Sequence, residues 1–169
     1  MNFKKVLLVT TLGMSVSLAR SQIIDNSAPE SDLYSANEFS VDLYGFGASR
    51  DKSGGSSNGW GPGVGANYFF TRNLGVGLDN YTDAFHWPDK LNLSGIFRYP
   101  IPDSRFAAYG FGGGGRQWSN AAQWTAHVGA GVEYRFRSNA GFFSDIRQVF
   151  PGETRNYTVV RFGFRLNFR

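Results

Sequence analysis

The sequence has no cysteine and, after its first 21 residues, no long apolar run. The absence of cysteine excludes disulfides, thiolate metal sites, cysteine nucleophiles and a lipid anchor attached through cysteine. No apolar run beyond residue 21 approaches the roughly 20 residues that a transmembrane helix needs. Any membrane span must therefore be made of β-strands, the other structure that satisfies its own backbone in lipid.

The first 21 residues have the pattern of a secretory signal peptide. Lys4 and Lys5 give a positive start, residues 6–18 are largely apolar, and an Ala-Arg-Ser sequence ending at Ser21 resembles a cleavage site. We expect Sec-type export with cleavage near Ser21. Removing residues 1–21 takes three of the 17 basic residues and none of the 13 acidic ones, leaving 14 against 13. This near-neutral balance gives no electrostatic reason to expect nucleic acid as a partner.

The remaining chain divides into a polar leader and a run of short alternating segments. Residues 22–37 are predicted to form a flexible periplasmic arm, and residues 38–169 a single barrel domain. The predicted strands span residues 38–49, 59–70, 74–81, 91–99, 106–116, 123–136, 140–150 and 155–168. An even number of strands is typical of single-chain bacterial barrels. The fold predicted is therefore all-β, an eight-stranded antiparallel up-and-down transmembrane β-barrel.

Apolar and polar residues alternate along these strands, which gives the sheet one apolar and one polar face. Alternation alone does not separate a membrane barrel from a soluble lipocalin-like secreted barrel, because exchanging inside for outside leaves the pattern unchanged. The scarcity of lysine favours a membrane barrel over a soluble one. Only Lys52 and Lys90 remain after residue 21, both in predicted loops, whereas soluble sheets spread lysine over their surface.

The polar face carries a balanced set of charges, which we expect to pair inside a narrow lumen. The predicted lumen charge network consists of Glu38, Asp42, Asp79, Arg98, Glu133, Arg135, Asp145, Arg147, Arg161 and Arg165. Unpaired buried charge is costly, and arginine binds carboxylates bidentately. Glycines on the same face, among them Gly110 and Gly112, are expected to leave room for large side chains. The pairs should plug the lumen.

Aromatic residues cluster near the strand ends and predict two girdles at the membrane interfaces. The predicted external girdle contains Trp60, Trp87, Trp118 and Trp124. The predicted periplasmic girdle contains Tyr68, Phe70, Tyr99, Phe106, Tyr134, Phe136, Phe142 and Phe168. Outer-membrane lipids are the partners that this arrangement implies.

The strand number, the glycine-rich tract at residues 109–115 and the ending at residues 162–169 resemble the outer-membrane protein A/X type, or porin-family, eight-stranded barrels. The resemblance covers residues 38–169. It implies the barrel assembly machinery and periplasmic chaperones as partners, with an assembly signal at Phe164, Leu166 and Phe168. Here Phe168 is followed by Arg169, a departure from an ending in phenylalanine. A monomer is expected.

Candidate catalytic residues are sparse. His86 lies in a predicted external loop with Asp83 and Asp89 nearby, which could hold a metal or act as a base, although an interfacial aromatic cluster explains it at least as well. His127 falls on the polar face, where a hydrogen-bonded interior residue is expected. We therefore predict no cofactor, no metal and no enzyme. The predicted function is a structural role in envelope integrity or a role in surface interaction. A narrow channel for ions or small solutes and a lipid-modifying enzyme are the alternatives.

Overall fold

The described residues form a closed antiparallel barrel, preceded by a short segment at residues 33–37. The computed structural model describes residues 33–50, 59–82, 89–118 and 122–169. Its strands are β1 Glu38–Arg50, β2 Gly59–Phe69, β3 Leu74–Tyr81, β4 Lys90–Pro100, β5 Phe106–Gln117, β6 Gln123–Arg137, β7 Ala140–Pro151 and β8 Tyr157–Phe168. Each strand pairs with the next, and β8 pairs back with β1. In the described ranges no helix is long and apolar enough to cross a membrane.

All eight predicted strands are present, so the predicted fold class is confirmed. The largest difference in the boundaries is at β8, which begins at Tyr157 rather than at residue 155. Tyr157 is paired with Val149 of β7 and Arg50 of β1, and neither ladder extends to residue 155. Residues 155 and 156 therefore belong to the β7–β8 connection.

The barrel is polar inside and apolar outside. Along β1, Glu38 and Asp42 are buried whereas Phe39 and Leu43 are exposed, because successive side chains of a strand point to opposite faces. Phe162 of β8 is 63% exposed. A soluble lipocalin-like barrel would enclose this apolar face, so that alternative is wrong for this chain.

One predicted face assignment is wrong. Gly110 and Gly112 were expected on the polar face, but Tyr109 and Phe111 of β5 are the buried residues, and the two glycines point outward. The reason is the register. Gly110 lies directly opposite Phe97 of β4, which is exposed, and side chains that are directly opposite share a face.

The two rims of the barrel differ in their connections. The β2–β3 and β6–β7 connections are short, at residues 70–73 and 138–139, and they lie at the rim where β1 begins and β8 ends. We call this rim the periplasmic end, since outer-membrane barrels have short periplasmic turns, and the opposite rim the external end. The predicted external loops lie largely outside the described residues, at 51–58 and 83–88.

Candidate functional site: the charge network in the lumen

The ten predicted network residues all lie inside the barrel, and each takes part in at least one salt bridge. Their exposed fractions range from 0 to 8%. They come from six of the eight strands, at positions that face the lumen: Glu38 and Asp42 on β1, Asp79 on β3, Arg98 on β4, Glu133 and Arg135 on β6, Asp145 and Arg147 on β7, and Arg161 and Arg165 on β8. Four of the five arginines lie on β6, β7 and β8.

Glu38 is a centre of the network near the periplasmic end. Arg98 donates from Nη1 to its Oε1 at 2.8 Å. Arg135 binds both carboxylate oxygens, at 2.6 and 2.7 Å, and donates from Nε to Glu133 at 2.6 Å. These bonds join β1 to β4 and β6, which are not its neighbours in the sheet, so they cross the lumen.

Arg165 continues the chain of pairs toward the external end. It donates to Glu133 at 2.6 Å and binds Asp42 bidentately, with both bonds at 2.7 Å. Asn67 of β2 donates to the same Asp42 carboxylate at 2.9 Å. Fork-to-fork pairing of arginine with carboxylate is the strong geometry for a buried ion pair.

A second group of pairs lies closer to the external end. Arg147 binds Asp79 bidentately at 2.6 and 3.1 Å, and Arg161 binds Asp145 bidentately at 2.7 and 2.8 Å. Arg161 also approaches Asp79 within 3.3 Å. Because β3 and β7 are four strands apart in an eight-stranded barrel, the Asp79–Arg147 pair joins opposite walls.

Tyrosines complete the network, and sequence reasoning did not assign them to it. Tyr109 donates to Asp145 at 2.7 Å, and Tyr44 donates to Asp79 at 3.3 Å. The Tyr44 ring lies against Gly63, and a Cβ on Gly63 would overlap it. The inward-facing glycines therefore make room for large side chains. Period-two alternation from Asp42 already places Tyr44 on the lumen face, which is the signal that could have found it.

The end of the predicted flexible arm packs into the barrel instead. Leu33 and Tyr34 are buried, and the Tyr34 hydroxyl donates to the backbone carbonyls of Arg105 and Glu133 at 3.0 and 3.3 Å. The Leu33 carbonyl accepts from Arg135. The Tyr34 ring lies under the Arg135 guanidinium, with the ring centroid 4.2 Å from Cζ. Cation–π contact and the backbone bonds hold this segment in the periplasmic mouth. The rest of the arm lies outside the described residues.

Removal of the Tyr34 hydroxyl tests how much the packing of this segment in the periplasmic mouth stabilises the barrel. Burial raises the pKa of this hydroxyl above its ordinary value, so the group stays protonated and donates. We expect Tyr34→Phe to lower the free energy of unfolding by about 1 kcal/mol, the contribution of a typical hydrogen bond. Urea titration in detergent micelles measures it, with Tyr99→Phe at the exposed face as the matched control. Equal effects of the two substitutions would contradict a seated Tyr34.

His127 is paired with a residue that sequence reasoning did not connect to it. Its Nε2 lies 2.8 Å from Ser94 Oγ of β4, and both side chains are buried in the lumen. Its Nδ1 has no hydrogen-bond partner among the described residues. A catalytic serine–histidine pair needs a third group at that nitrogen to orient the ring. Here none is described.

The other predicted candidate site cannot be placed. His86, Asp83 and Trp87 lie outside the described residues. Asp89, the remaining member, is buried and binds Lys90 at 2.7 Å. Among the described residues, no group of three or more potential ligands is arranged to hold a metal ion.

The aromatic residues predicted for the girdles face outward wherever the structure describes them. Trp60 and Trp124 at the external end are 75 and 70% exposed, and Trp118 is exposed as well. At the periplasmic end the outward residues are Tyr68, Phe70, Tyr99, Phe106, Tyr134, Phe136, Phe142 and Phe168. In the last strand, Phe164, Leu166 and Phe168 also face outward, and their role as an assembly signal stays a prediction.

Several solved structures share this architecture, including these three. The N-terminal β-barrel domain of OprF from Pseudomonas aeruginosa is 22% identical, with a TM-score of 0.56, and the match covers 79% of this chain and 99% of that chain. OprG from Pseudomonas aeruginosa is 14% identical, with a TM-score of 0.58 and coverages of 80% and 98%. Neisserial surface protein A is 17% identical, with a TM-score of 0.57 and coverages of 78% and 96%.

The chain has the fold of the small outer-membrane β-barrels. The apolar outer face and the structural neighbours agree on this point. No family model matches the sequence. No curated protein sequence matches it either. The structural identities lie below the level at which a shared fold carries a shared activity, so the role of this outer-membrane barrel is argued from its own residues.

Proposed function

We propose that this outer-membrane barrel is a structural protein, active in envelope integrity or surface contact, whose lumen is plugged by the charge network. The observation that carries the proposal is the set of ten buried charged side chains, every one of them in a salt bridge. The pairs join strands on different sides of the lumen. Acidic and basic members are equal in number, so the interior needs no counter-ion to balance it.

Opening this lumen to solutes would require breaking buried pairs. Leaving one partner of a buried pair unpaired costs about 3–5 kcal/mol. An eight-stranded barrel is only wide enough for its own side chains to fill. Leu33 and Tyr34 add a second closure at the periplasmic mouth. These features support a sealed barrel over the alternative of a narrow channel.

A lipid-modifying enzyme is not supported by the same geometry. Ser94 and His127 face the lumen, whereas lipid contacts the outer face of the barrel. A nucleophile needs access to its substrate as well as a nearby base. The pair is therefore better explained as part of the polar interior.

Planar-bilayer recording tests the plug. We expect the wild-type barrel to give no stable conductance steps, and the double variant Asp79→Ala with Arg147→Ala to give them. This double variant removes both partners of a bidentate pair and leaves Arg161 bound to Asp145, so no charge is stranded. Stable steps from the wild type would favour the narrow channel. The double variant in which Asp103→Ala and Arg155→Ala change exposed residues serves as control.

Export and assembly follow the same proposal. Residues 1–21 would direct export and be removed near Ser21, after which periplasmic chaperones would pass the chain to the barrel assembly machinery. The terminal strand is suited to this role because β8 closes the barrel against β1 along residues 39–50. The amino-terminal sequence of the protein purified from membranes tests cleavage, and a protein that still begins at Met1 would contradict it.

A further inference from the structure

An apolar groove runs along the outer surface of the barrel toward the external end. Its floor is formed by the backbone of Gly95 in β4 and of residues 113–115 in β5, and its sides by Val76, Leu93 and Trp124. Its volume is about 490 Å³. Since the outer face lies in the membrane, the groove is open to lipid.

The groove exists because outward positions that could carry large side chains carry glycine. A Cβ added to Gly95 or Gly114 would come no nearer than 3.4 Å to any atom, which is ordinary contact. Packing within the barrel therefore does not require glycine at these two positions. Elsewhere on the outer face of these strands stand residues such as Leu93 and Phe97, which is the expected filling of a lipid-facing surface.

A single positive charge lies at the external rim of the groove. Arg116 follows Gly114 on the outward side of β5, and its guanidinium lies over the Trp124 ring, 5.2 Å from the ring centroid. Apart from Arg137 at the tip of β6, it is the one charged residue at an outward position of the described strands. Arginine toward lipid is costly near the bilayer centre, but at the interface it can bind phosphate with its forked donors.

We propose that the groove binds lipid A of the outer leaflet, with one acyl chain along Gly95 and Gly114 and a glucosamine phosphate on Arg116. Charge complementarity selects this occupant. The outward face of the described strands in a second copy offers no anion to Arg116, since the acidic residues of these strands all point into the lumen. The proposal rests on the outer-membrane location in the proposed function and is independent of the plug.

Native mass spectrometry of the detergent-solubilised protein, titrated with purified lipid A, tests this site. The groove-filling variant carries Gly95→Ile and Gly114→Ile. The matched control carries Gly45→Ile and Gly47→Ile, outward positions on the opposite strand β1 where an added Cβ meets nothing within 4 Å. We expect the groove-filling variant to bind lipid A roughly tenfold more weakly, since contact with several methylene groups is lost, and the control to bind as the wild type does.

The variant Arg116→Gln separates the contribution of the phosphate to lipid A binding from the contribution of the acyl chain. We expect it to weaken binding of lipid A and to leave unchanged the weaker binding of diacylglycerol, which has acyl chains but no phosphate. Equal lipid A binding by the wild type and the groove-filling variant, equal affinity for the two lipids, or a protein dimer that the groove-filling variant abolishes would each overturn the proposal. Boiling-dependent gel mobility, measured on every variant, shows whether the barrel is intact. An intact outer-membrane barrel without lipid A binding would refute this site and leave the proposed function standing.

Discussion

Glu133→Gln is expected to lower the free energy of unfolding by about 3 kcal/mol. Glu133 is fully buried and accepts from Arg135 and Arg165, both at 2.6 Å. Glutamine has nearly the same shape, but it carries no charge, so the substitution leaves the interior with one excess positive charge near three arginines. Reversible urea unfolding in detergent micelles, followed by tryptophan fluorescence, measures the difference.

Glu153→Gln is the matched control for this experiment, because Glu153 lies exposed in the β7–β8 connection. We expect its free energy of unfolding to stay within about 0.5 kcal/mol of the wild-type value, as for most surface substitutions. An unchanged midpoint for Glu133→Gln would mean that water screens the lumen. The buried network would then not hold the barrel together.

Gly113→Ala is expected to destabilise the barrel by about 3 kcal/mol, whereas Gly114→Ala should leave it nearly unchanged. A Cβ on Gly113 would overlap the backbone carbonyl oxygen of Leu93, which cannot move without disturbing the β4–β5 ladder. A Cβ on Gly114 points outward and meets its nearest atom, the Thr125 carbonyl oxygen, at 3.4 Å. The two variants differ only in which face of β5 receives a methyl group.

The fraction of each glycine variant that shows the boiling-dependent band, together with its urea midpoint, measures this effect. Gly112→Ala is a second control, since Gly112 also points outward. Similar losses for Gly113→Ala and Gly114→Ala would mean that the tract is needed for its backbone freedom rather than for the space on its inner side.

The sequence carries the strand positions because alternation and turn residues are local signals. The predicted and observed bounds of β3 agree at both ends. Alternation does not predict the orientation of a strand whose inward and outward residues are similar in polarity. In β5 the inward residues include Tyr109 and Phe111, which are aromatic and look lipid-facing, so the face assignment of Gly110 and Gly112 came out reversed. The pairing of Gly110 with the exposed Phe97 shows that Gly110 faces outward.

The members of the charge network could be chosen from alternation alone, but their pairing could not. Arg165 meets Glu133 on a strand two positions away in the barrel, and Asp79 meets Arg147 on the opposite wall. Such contacts depend on closure of the sheet, which is not a local property of the chain. The seating of Tyr34 was missed for the same reason, since its partners Arg105 and Glu133 are distant in sequence.

A closed barrel embedded in the outer membrane is tested most directly by gel mobility of the protein in isolated outer membranes, with and without boiling. We expect the unboiled protein to migrate differently from the boiled protein and to be found in the outer-membrane fraction, because a closed barrel resists unfolding by detergent until it is heated. A protein found in the soluble periplasmic fraction, with the same mobility before and after boiling, would contradict a membrane barrel with an apolar outer face.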